Sequence, residues 1–222
     1  MSKYIKIGHR GAMGYKLENT LPSFEHAIAL GVDAIELDIH QCKTGEYLVF
    51  HDDTTERLSN SNAKIADLTL QEAKQIRLNN GQTIPTLQEA LECISNKAIT
   101  CIEVKKANEF NSLSKLMSNY NTDSFIYFSF NHHYLAELKK LQQKHQTCAL
   151  IVGIPFNYAR FASDINANYV APNIHHANQE FVDDIYKRGM KPITWTCNTN
   201  DEINKAKQLG FWGIAGNYPD RI

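Results

Sequence analysis

Apolar and polar positions alternate most regularly over residues 34–53, which read AIELDIHQCKTGEYLVFHDD. Side chains two apart on a strand share a face, so Ile35, Leu37 and Ile39 fall on one side of an extended segment and Ala34, Glu36 and Asp38 on the other. A shorter apolar run at 47–50 follows as a hairpin arm and delivers His51 and Asp52. The same grammar recurs along the chain: a short apolar run, a polar loop, then apolar residues at helical spacing closed by glycine or a polar turn. It predicts further strands at 4–8, 98–104, 125–130, 147–152, 169–171, 192–196 and 213–215. Helices are predicted from Thr20 or Ser23 to Gly31, and at 69–76, 87–94, 112–120, 133–144, 156–163 (weakly), 178–188 and 201–209. Pro22 suits a first helical turn, and Thr86 with Glu89 three residues on is a capping box.

Strand and helix alternate through eight units when 47–50 is counted as an arm of the second strand, which points to a (β/α)8 TIM-type barrel. Residues 53–84 read as a small polar insertion after the second strand, and residues 1–222 as one domain. A doubly wound open sheet is the main competitor. The barrel is favoured because His9, Glu36, Asp38, Glu103, Lys105 and Trp195 fall at or near the C-terminal ends of successive strands, where closure would bring them to one mouth. No glycine-rich nucleotide fingerprint and no fixed-period repeat is present.

The chemistry starts from a repulsion. Two carboxylates on one face of an otherwise apolar strand need a shared proton or a cation between them. Glu103, at the end of the next unit, adds a third hard oxygen donor, and such donors suit Mg2+ or Ca2+. Pairing with rim arginines or lysines is the competing explanation for each carboxylate. His9 and His51 are candidates for moving protons near neutrality, one from an attacking oxygen and one to a leaving oxygen. Asp52 follows His51 closely enough to orient its ring. The other histidines, His40 among them, are read as structural or exposed, with His132 and His133 near enough to a strand end to reach the mouth. Arg10 presents a planar fork to a phosphate and Lys105 a point charge, though salt bridges to Glu18 or to the carboxylates account for them equally well. Trp195 is core or the wall of an alcohol-binding pocket.

Composition narrows the partners. With 23 basic and 24 acidic residues the chain carries no nucleic-acid footprint and no electrostatic membrane patch, while a small anionic ligand remains compatible. The five cysteines are widely spaced with mostly apolar neighbours, which reads as free buried thiols. No signal-like apolar run opens the chain, and none approaches the ~18 residues of a membrane span. A soluble, cytoplasmic protein is expected, with no stable membrane insertion.

Taken in order, His9-Arg10-Gly11, Glu18-Asn19-Thr20, Glu36-x-Asp38, His51-Asp52 and Glu103-x-Lys105 resemble the glycerophosphodiester phosphodiesterase family. The likeness covers almost the whole chain, continuing through Pro85-Thr86-Leu87, Ser129-Phe130, Trp195-Thr196, Asn198 and Tyr218-Pro219-Asp220. It implies a barrel enzyme, a phosphoric diester hydrolase, that cleaves glycerophosphodiesters to glycerol 3-phosphate and an alcohol. It also implies one divalent cation, Mg2+ or Ca2+, on Glu36, Asp38 and Glu103, an acid–base pair of His9 and His51, a phosphate held by Arg10 and Lys105, and support from Glu18. Two departures stand out: Gly216-Asn217 where the family often has Thr-Asp, and Arg57-Leu58 in place of the usual Arg-Thr. The nucleophile is open between water and the neighbouring glycerol hydroxyl; His51 is assigned to the leaving alkoxide and His9 to the opposite transfer, with exchange allowed. Two other readings are a lysophospholipase D-like hydrolase acting on a lipid diester, which needs an apolar groove that residues 53–84 look too polar to supply, and a non-catalytic phospholigand-binding barrel.

Overall fold

A computed structural model describes residues 4–107 and 110–222. Its strands are β1 (Ile5–Gly8), β2 (Ala34–Gln41), β3 (Tyr47–Val49), β4 (Ile99–Lys106), β5 (Phe125–Ser129), β6 (Thr147–Ile151), β7 (Tyr169–Pro172), β8 (Lys191–Thr194) and β9 (Gly213–Gly216). Eight of them form a parallel ring, because β1 pairs with both β2 and β9 and every other member pairs with its two neighbours. That closure rules out the doubly wound sheet. The remaining strand, β3, lies antiparallel on β2 outside the ring. The helices are α1 (Leu21–Ala29), α2 (Leu70–Gln75), α3 (Leu87–Ile94), α4 (Asn111–Met117), α5 (His132–Leu141), α6 (Arg160–Ser163), α7 (Gln179–Lys187) and α8 (Asn200–Leu209).

The two-residue period of the strands builds two apolar layers. Ile7, Ala34, Cys101, Phe128, Cys148 and Ile193 fill the barrel interior. Ile35, Leu37, Ile39, Val104, Tyr127 and Val170 face outward and pack with Phe24, Leu91, Leu135 and Phe181. Every residue of β2 is buried, so Glu36 and Asp38, on the same face as Ala34, enter the interior above a dry floor. The sequence pattern called for that placement.

Local chemistry sets the element ends. Thr69, Thr86 and Thr199 each close a full capping box with Glu72, Glu89 and Glu202, interactions worth about 1 kcal/mol apiece. At α1 the expectation needs correcting. Thr20 stands at the N-cap, but its hydroxyl donates to the Leu17 carbonyl instead of capping. Ser23, buried inside the helix, accepts from the Ala12 N–H and donates to the Arg10 carbonyl, so it fastens the loop after β1. Helices α4, α5 and α6 are shorter than their sequence patterns. Residues 142–144 bury no side chain and Phe156 is 99 % exposed, so those turns have no apolar face to hold them.

The segment 53–84 is also less irregular than its composition suggests. Leu58, Ile65, Ala73, Leu78 and Ile84 turn inward onto Cys42, Leu48 and Phe50 and form a small core of their own. Its polar residues face outward, and the segment stands beside the end of β2.

Candidate active site

The loop after β1 places the first site residues. His9 donates its backbone N–H to the Gly216 carbonyl, 3.0 Å away, and its ring Nδ1 sits 2.7 Å from Asn217 Oδ1. Gly216 permits this approach of β9, since a Cβ there would lie 2.4 Å from the Cys197 carbonyl oxygen. A threonine here, which the family resemblance led one to expect, would require that carbonyl to move. Arg10 adopts φ 51°, a left-handed conformation that costs a non-glycine residue about 1–3 kcal/mol and occurs mainly at functional sites. In return its N–H points at Glu36 Oε2 at 2.9 Å, and its guanidinium reaches Glu18 Oε1 at 2.7 Å and Asp38 Oδ2 at 3.3 Å. Gly11 follows at φ 84°, with Ser23 packed where a side chain would be.

Glu36, Asp38 and Glu103 converge from β2 and β4, adjacent strands in register. One oxygen from each lies within 4.8 Å of the others. Asp38 is held from below by Asn19, whose amide donates to Oδ2 at 2.8 Å and whose oxygen accepts the Asp38 N–H. Its buried Oδ1 is met by no donor in hydrogen-bond geometry among the described residues, only by the Lys105 ammonium as an ion pair. Lys105 completes the cluster, with Nζ 2.6 Å from Glu103 Oε1 and 3.1 Å from Asp38 Oδ1.

The electrostatics follow from crowding. Burial, then repulsion by Asp38 and Glu103, drives Glu36 well above the ordinary carboxylate range. Burial and the Asp38 charge push Glu103 up to about 7. Burial would also raise Asp38, but Lys105 and Arg10 outweigh it and keep Asp38 below its ordinary value. Lys105 in turn is raised, because Asp38 and Glu103 overcome the cost of its burial. His9 is lowered to about 4, by burial first and Arg10 second. The site therefore holds more anionic groups than its own cations satisfy, and its donors are all hard oxygens. That set fits a divalent cation of the Mg2+ or Ca2+ type.

The crowding makes a pH prediction for protein stripped of divalent ions. Glu103 binds its proton more tightly folded than unfolded, so its contribution to stability is present below pH ~4.5 and lost as pH rises through about 7. His9, lowered to about 4, works in the opposite direction over much of the same window, so the wild-type curve alone would conceal the effect. The Tm of Glu103→Gln relative to wild type should therefore rise between pH 4.5 and 7 in chelator, as read by calorimetry. A flat difference would contradict the crowded site.

His51 follows β3 and faces the same cleft. Its Nδ1 is 2.6 Å from Asp52 Oδ1, and Asp52 Oδ2 accepts from Arg57 Nε at 2.6 Å. Burial alone would raise Asp52, but the hydrogen bonds from Arg57 and His51 outweigh it and bring it to about 2. Beneath them His40 donates from Nε2 to the His51 carbonyl at 3.0 Å. A register shift between Ile39 and His40 turns that ring toward the loop.

The cleft holds about 570 Å³ of empty space, the open solvent at its mouth included. His9, Arg10, Glu36, His51, Glu103 and Lys105 line one part of it, and Phe128, Phe130, Leu150, Ile193 and Trp195 line the rest. Of the residues singled out in the sequence for the site, Asp38, Glu18 and Asp52 stand outside the lining: Asp38 pairs with Arg10 and Lys105, Glu18 with Arg10, and Asp52 with His51. Trp195 donates its indole N–H to the Ala171 carbonyl and meets Phe130 edge-on, so it is both anchored and part of the wall. His132 does not reach the mouth; its Nε2 donates to the Leu150 carbonyl and its ring stacks on Phe161. His133 is exposed. In the sequence Asn217 stood out only as a departure from the family pattern, Arg57 only as the neighbour of the departing Leu58, and His40 as an ordinary structural histidine. Two of these had a usable signal: Asn217 lies just after the last strand, and Arg57 is an arginine shortly after a His-Asp pair.

A closed barrel with clustered carboxylates and two histidines at the C-terminal ends of its strands defines a hydrolase-type site for an anionic ester. The model of the glycerophosphoryl diester phosphodiesterase family matches residues 9–221, and the chain belongs to that family. It is 29 % identical to the glycerophosphodiester phosphodiesterase of Caldanaerobacter subterraneus subsp. tengcongensis, over 99 % of this chain and 96 % of that one. It is 25 % identical to human lysophospholipase D GDPD1, over 100 % of this chain and 85 % of that one. Among solved structures, an Oleispira antarctica phosphodiesterase in complex with the product sn-glycerol-3-phosphate superposes with a TM-score of 0.91 at 26 % identity, covering 97 % and 94 % of the two chains. The glycerophosphodiester phosphodiesterase of Thermotoga maritima gives 0.85 at 26 % identity, covering 99 % and 97 %. The chain is thus a glycerophosphodiester phosphodiesterase, which sets aside the non-catalytic barrel. No helix among the described residues is long and apolar enough to cross a membrane.

Proposed function

We propose that this enzyme hydrolyses small glycerophosphodiesters to glycerol 3-phosphate and an alcohol, with His9 and His51 as its acid–base pair and a divalent cation, Mg2+ or Ca2+, on Glu36, Asp38 and Glu103. The observation that carries the reading is the convergence of both histidines and the carboxylate cluster on one cleft. A bound cation would supply Lewis-acid neutralisation of the phosphodiester charge.

The protein's own groups do the rest. Arg10 and Lys105 offer the phosphate a guanidinium fork and an ammonium, both held in place by carboxylates before substrate arrives. His9 presents its Nδ1 proton to the Asn217 oxygen, which leaves the Nε2 lone pair free on the cleft side. A neutral ring with a lone pair suits proton abstraction from the attacking oxygen. His51 has its Nδ1 against the Asp52 carboxylate, which orients the ring and suits proton donation from Nε2 to the leaving alkoxide. The unlike partners, an amide for one ring and a carboxylate for the other, support the assignment of base to His9 and acid to His51. Turnover of glycerophosphocholine with release of sn-glycerol 3-phosphate tests the reading; no glycerol 3-phosphate from any small glycerophosphodiester would overturn it.

The apolar part of the cleft favours a second substrate, a lysophospholipid-type diester. Phe130 is 44 % exposed, and Val152 and Phe156, following β6, are exposed as well, so apolar surface extends outward from the mouth. It comes from the ends of β5 and β6, not from the insertion where the sequence reading looked for it. Trp195→Ala should lower kcat/KM by about tenfold, the scale of one lost aromatic contact. Assays on glycerophosphocholine and lysophosphatidylcholine would separate the readings: a larger loss on the lipid favours the second, an equal loss the first, and no loss removes Trp195 from the pocket.

The reading includes a single domain over the whole chain, one small-molecule substrate and no nucleic-acid partner, in keeping with the near-balance of charge. All five cysteines are free and four are buried, which supports a reducing, cytoplasmic setting.

A further inference from the structure

Two halves of the site, the His51 loop and the Arg10 loop, touch one common side chain. Arg57 belongs to the segment after His51 and has no part in the roles set out above. Its Nη1 and Nη2 donate to Glu18 Oε2 and Oε1, each at 2.7 Å. Its Nε donates to Asp52 Oδ2 at 2.6 Å. Glu18 Oε1 also accepts from Arg10 Nη1 at 2.7 Å, and Asp52 Oδ1 lies 2.6 Å from His51 Nδ1. The result is an alternating row, Arg10, Glu18, Arg57, Asp52, His51, with no gap longer than a hydrogen bond. We propose that Arg57 is a positioning residue that fixes the His51 ring through Asp52 and the Arg10 guanidinium through Glu18, so that proton donor and phosphate ligand are set together. The proposal rests on the reading above that His51 transfers a proton.

The geometry requires an arginine. A planar fork can meet both oxygens of one carboxylate end-on while its Nε meets a second carboxylate at the side, whereas a lysine ammonium has no such shape. Glu18 is 5 % exposed and has no other cation than Arg10 and Arg57 among the described residues, so loss of Arg57 leaves a buried carboxylate oxygen bare and free to draw Arg10 out of line. Asp52 is more exposed, and without Arg57 its carboxylate is held, among the described residues, only by the ring it is meant to hold. The depression of Asp52 to about 2 fits the same picture, since the bonds from Arg57 and His51 overcome burial and keep it anionic. A purely structural clip between segment and barrel would explain the bonds to Glu18 but not the continuation through Asp52 to the His51 ring. Arg57 is also open to solvent, its side chain 45 % exposed, so a small cation from solution can reach its place.

The test compares wild type with Arg57→Ala and Arg57→Lys by 15N–1H spectra of the histidine rings, thermal melts and steady-state kinetics. Wild type should show a slowly exchanging His51 Nδ1–H signal held by Asp52, and both variants should lose it to exchange. On glycerophosphocholine, kcat should fall by about 10- to 100-fold, the scale of a misplaced general acid, with the larger KM change in Arg57→Ala. Millimolar guanidinium should recover part of the Arg57→Ala activity and none of the Arg57→Lys activity. Unchanged His51 ring signals in either folded variant would overturn the proposal, as would a kcat within twofold of wild type or a loss that merely tracks the folded fraction. If Arg57→Ala does not fold, Arg57→Lys decides by the same spectra. If wild type turns over no glycerophosphodiester, the functional reading fails, and the spectra still judge the positioning claim.

Discussion

His51→Ala lowers kcat for glycerophosphodiester hydrolysis by about 10²- to 10⁴-fold while KM changes little. The alkoxide of an ordinary alcohol leaves poorly unless a proton reaches it in the transition state, and His51 is the ring in the cleft backed by a carboxylate. On the proposed reading substrate binding would rely on Arg10 and Lys105, whose partners Glu18 and Glu103 the substitution leaves in place. The effect should therefore fall on the chemical step. A substrate with an acidic leaving group such as p-nitrophenol needs less protonation, so the variant should lose much less on it. Equal losses on both substrates would remove the proton-donor role.

Removal of divalent ions should cost at least about a hundredfold in kcat/KM, the scale of losing a main electrostatic stabiliser of the transition state. It should also lower Tm. Burial first and crowding by Asp38 second drive Glu36 and Glu103 up, and a cation that relieves the crowding binds the folded state preferentially. Dialysis against EDTA followed by return of Mg2+ or Ca2+ measures both effects and ranks the ions. Turnover unchanged in chelator would contradict the metal role, with Lys105 and Arg10 then serving as the counter-ions of Asp38 and Glu103.

Much of the site was legible in the sequence because strands carry their chemistry with a period of two. Glu36 and Asp38 had to share a face with Ala34, and Glu103 with Lys105, so once β2 and β4 paired in parallel their polar ends had to meet. His9 and His51 were recognisable from their positions at strand ends. The hidden parts depend on loops and irregular backbone, where no period operates. His40 follows a register shift, so counting along the strand misplaces its ring. Asn217 reaches His9 across 208 positions, and Arg57 reaches Glu18 across 39, distances over which local pattern carries no information. The segment 53–84 was legible as a polar insertion with one helix at 69–76, which α2 bears out. Its small core was not, since the apolar residues are spaced for an irregular core rather than for a helix or strand face. The weak helix before Ser163 was overextended because Phe156, counted toward its apolar face, points to solvent.

The most direct test of the central claim is anomalous scattering from a crystal of the protein grown with Mn2+, a stand-in for the hard divalent cation. The account predicts one strong peak bounded by oxygens of Glu36, Asp38 and Glu103 at about 2.0–2.6 Å, with His9 and His51 on the cleft around it. A crystal with ordered carboxylates, no peak among them, and Lys105 still paired to Glu103 and Asp38 would contradict it.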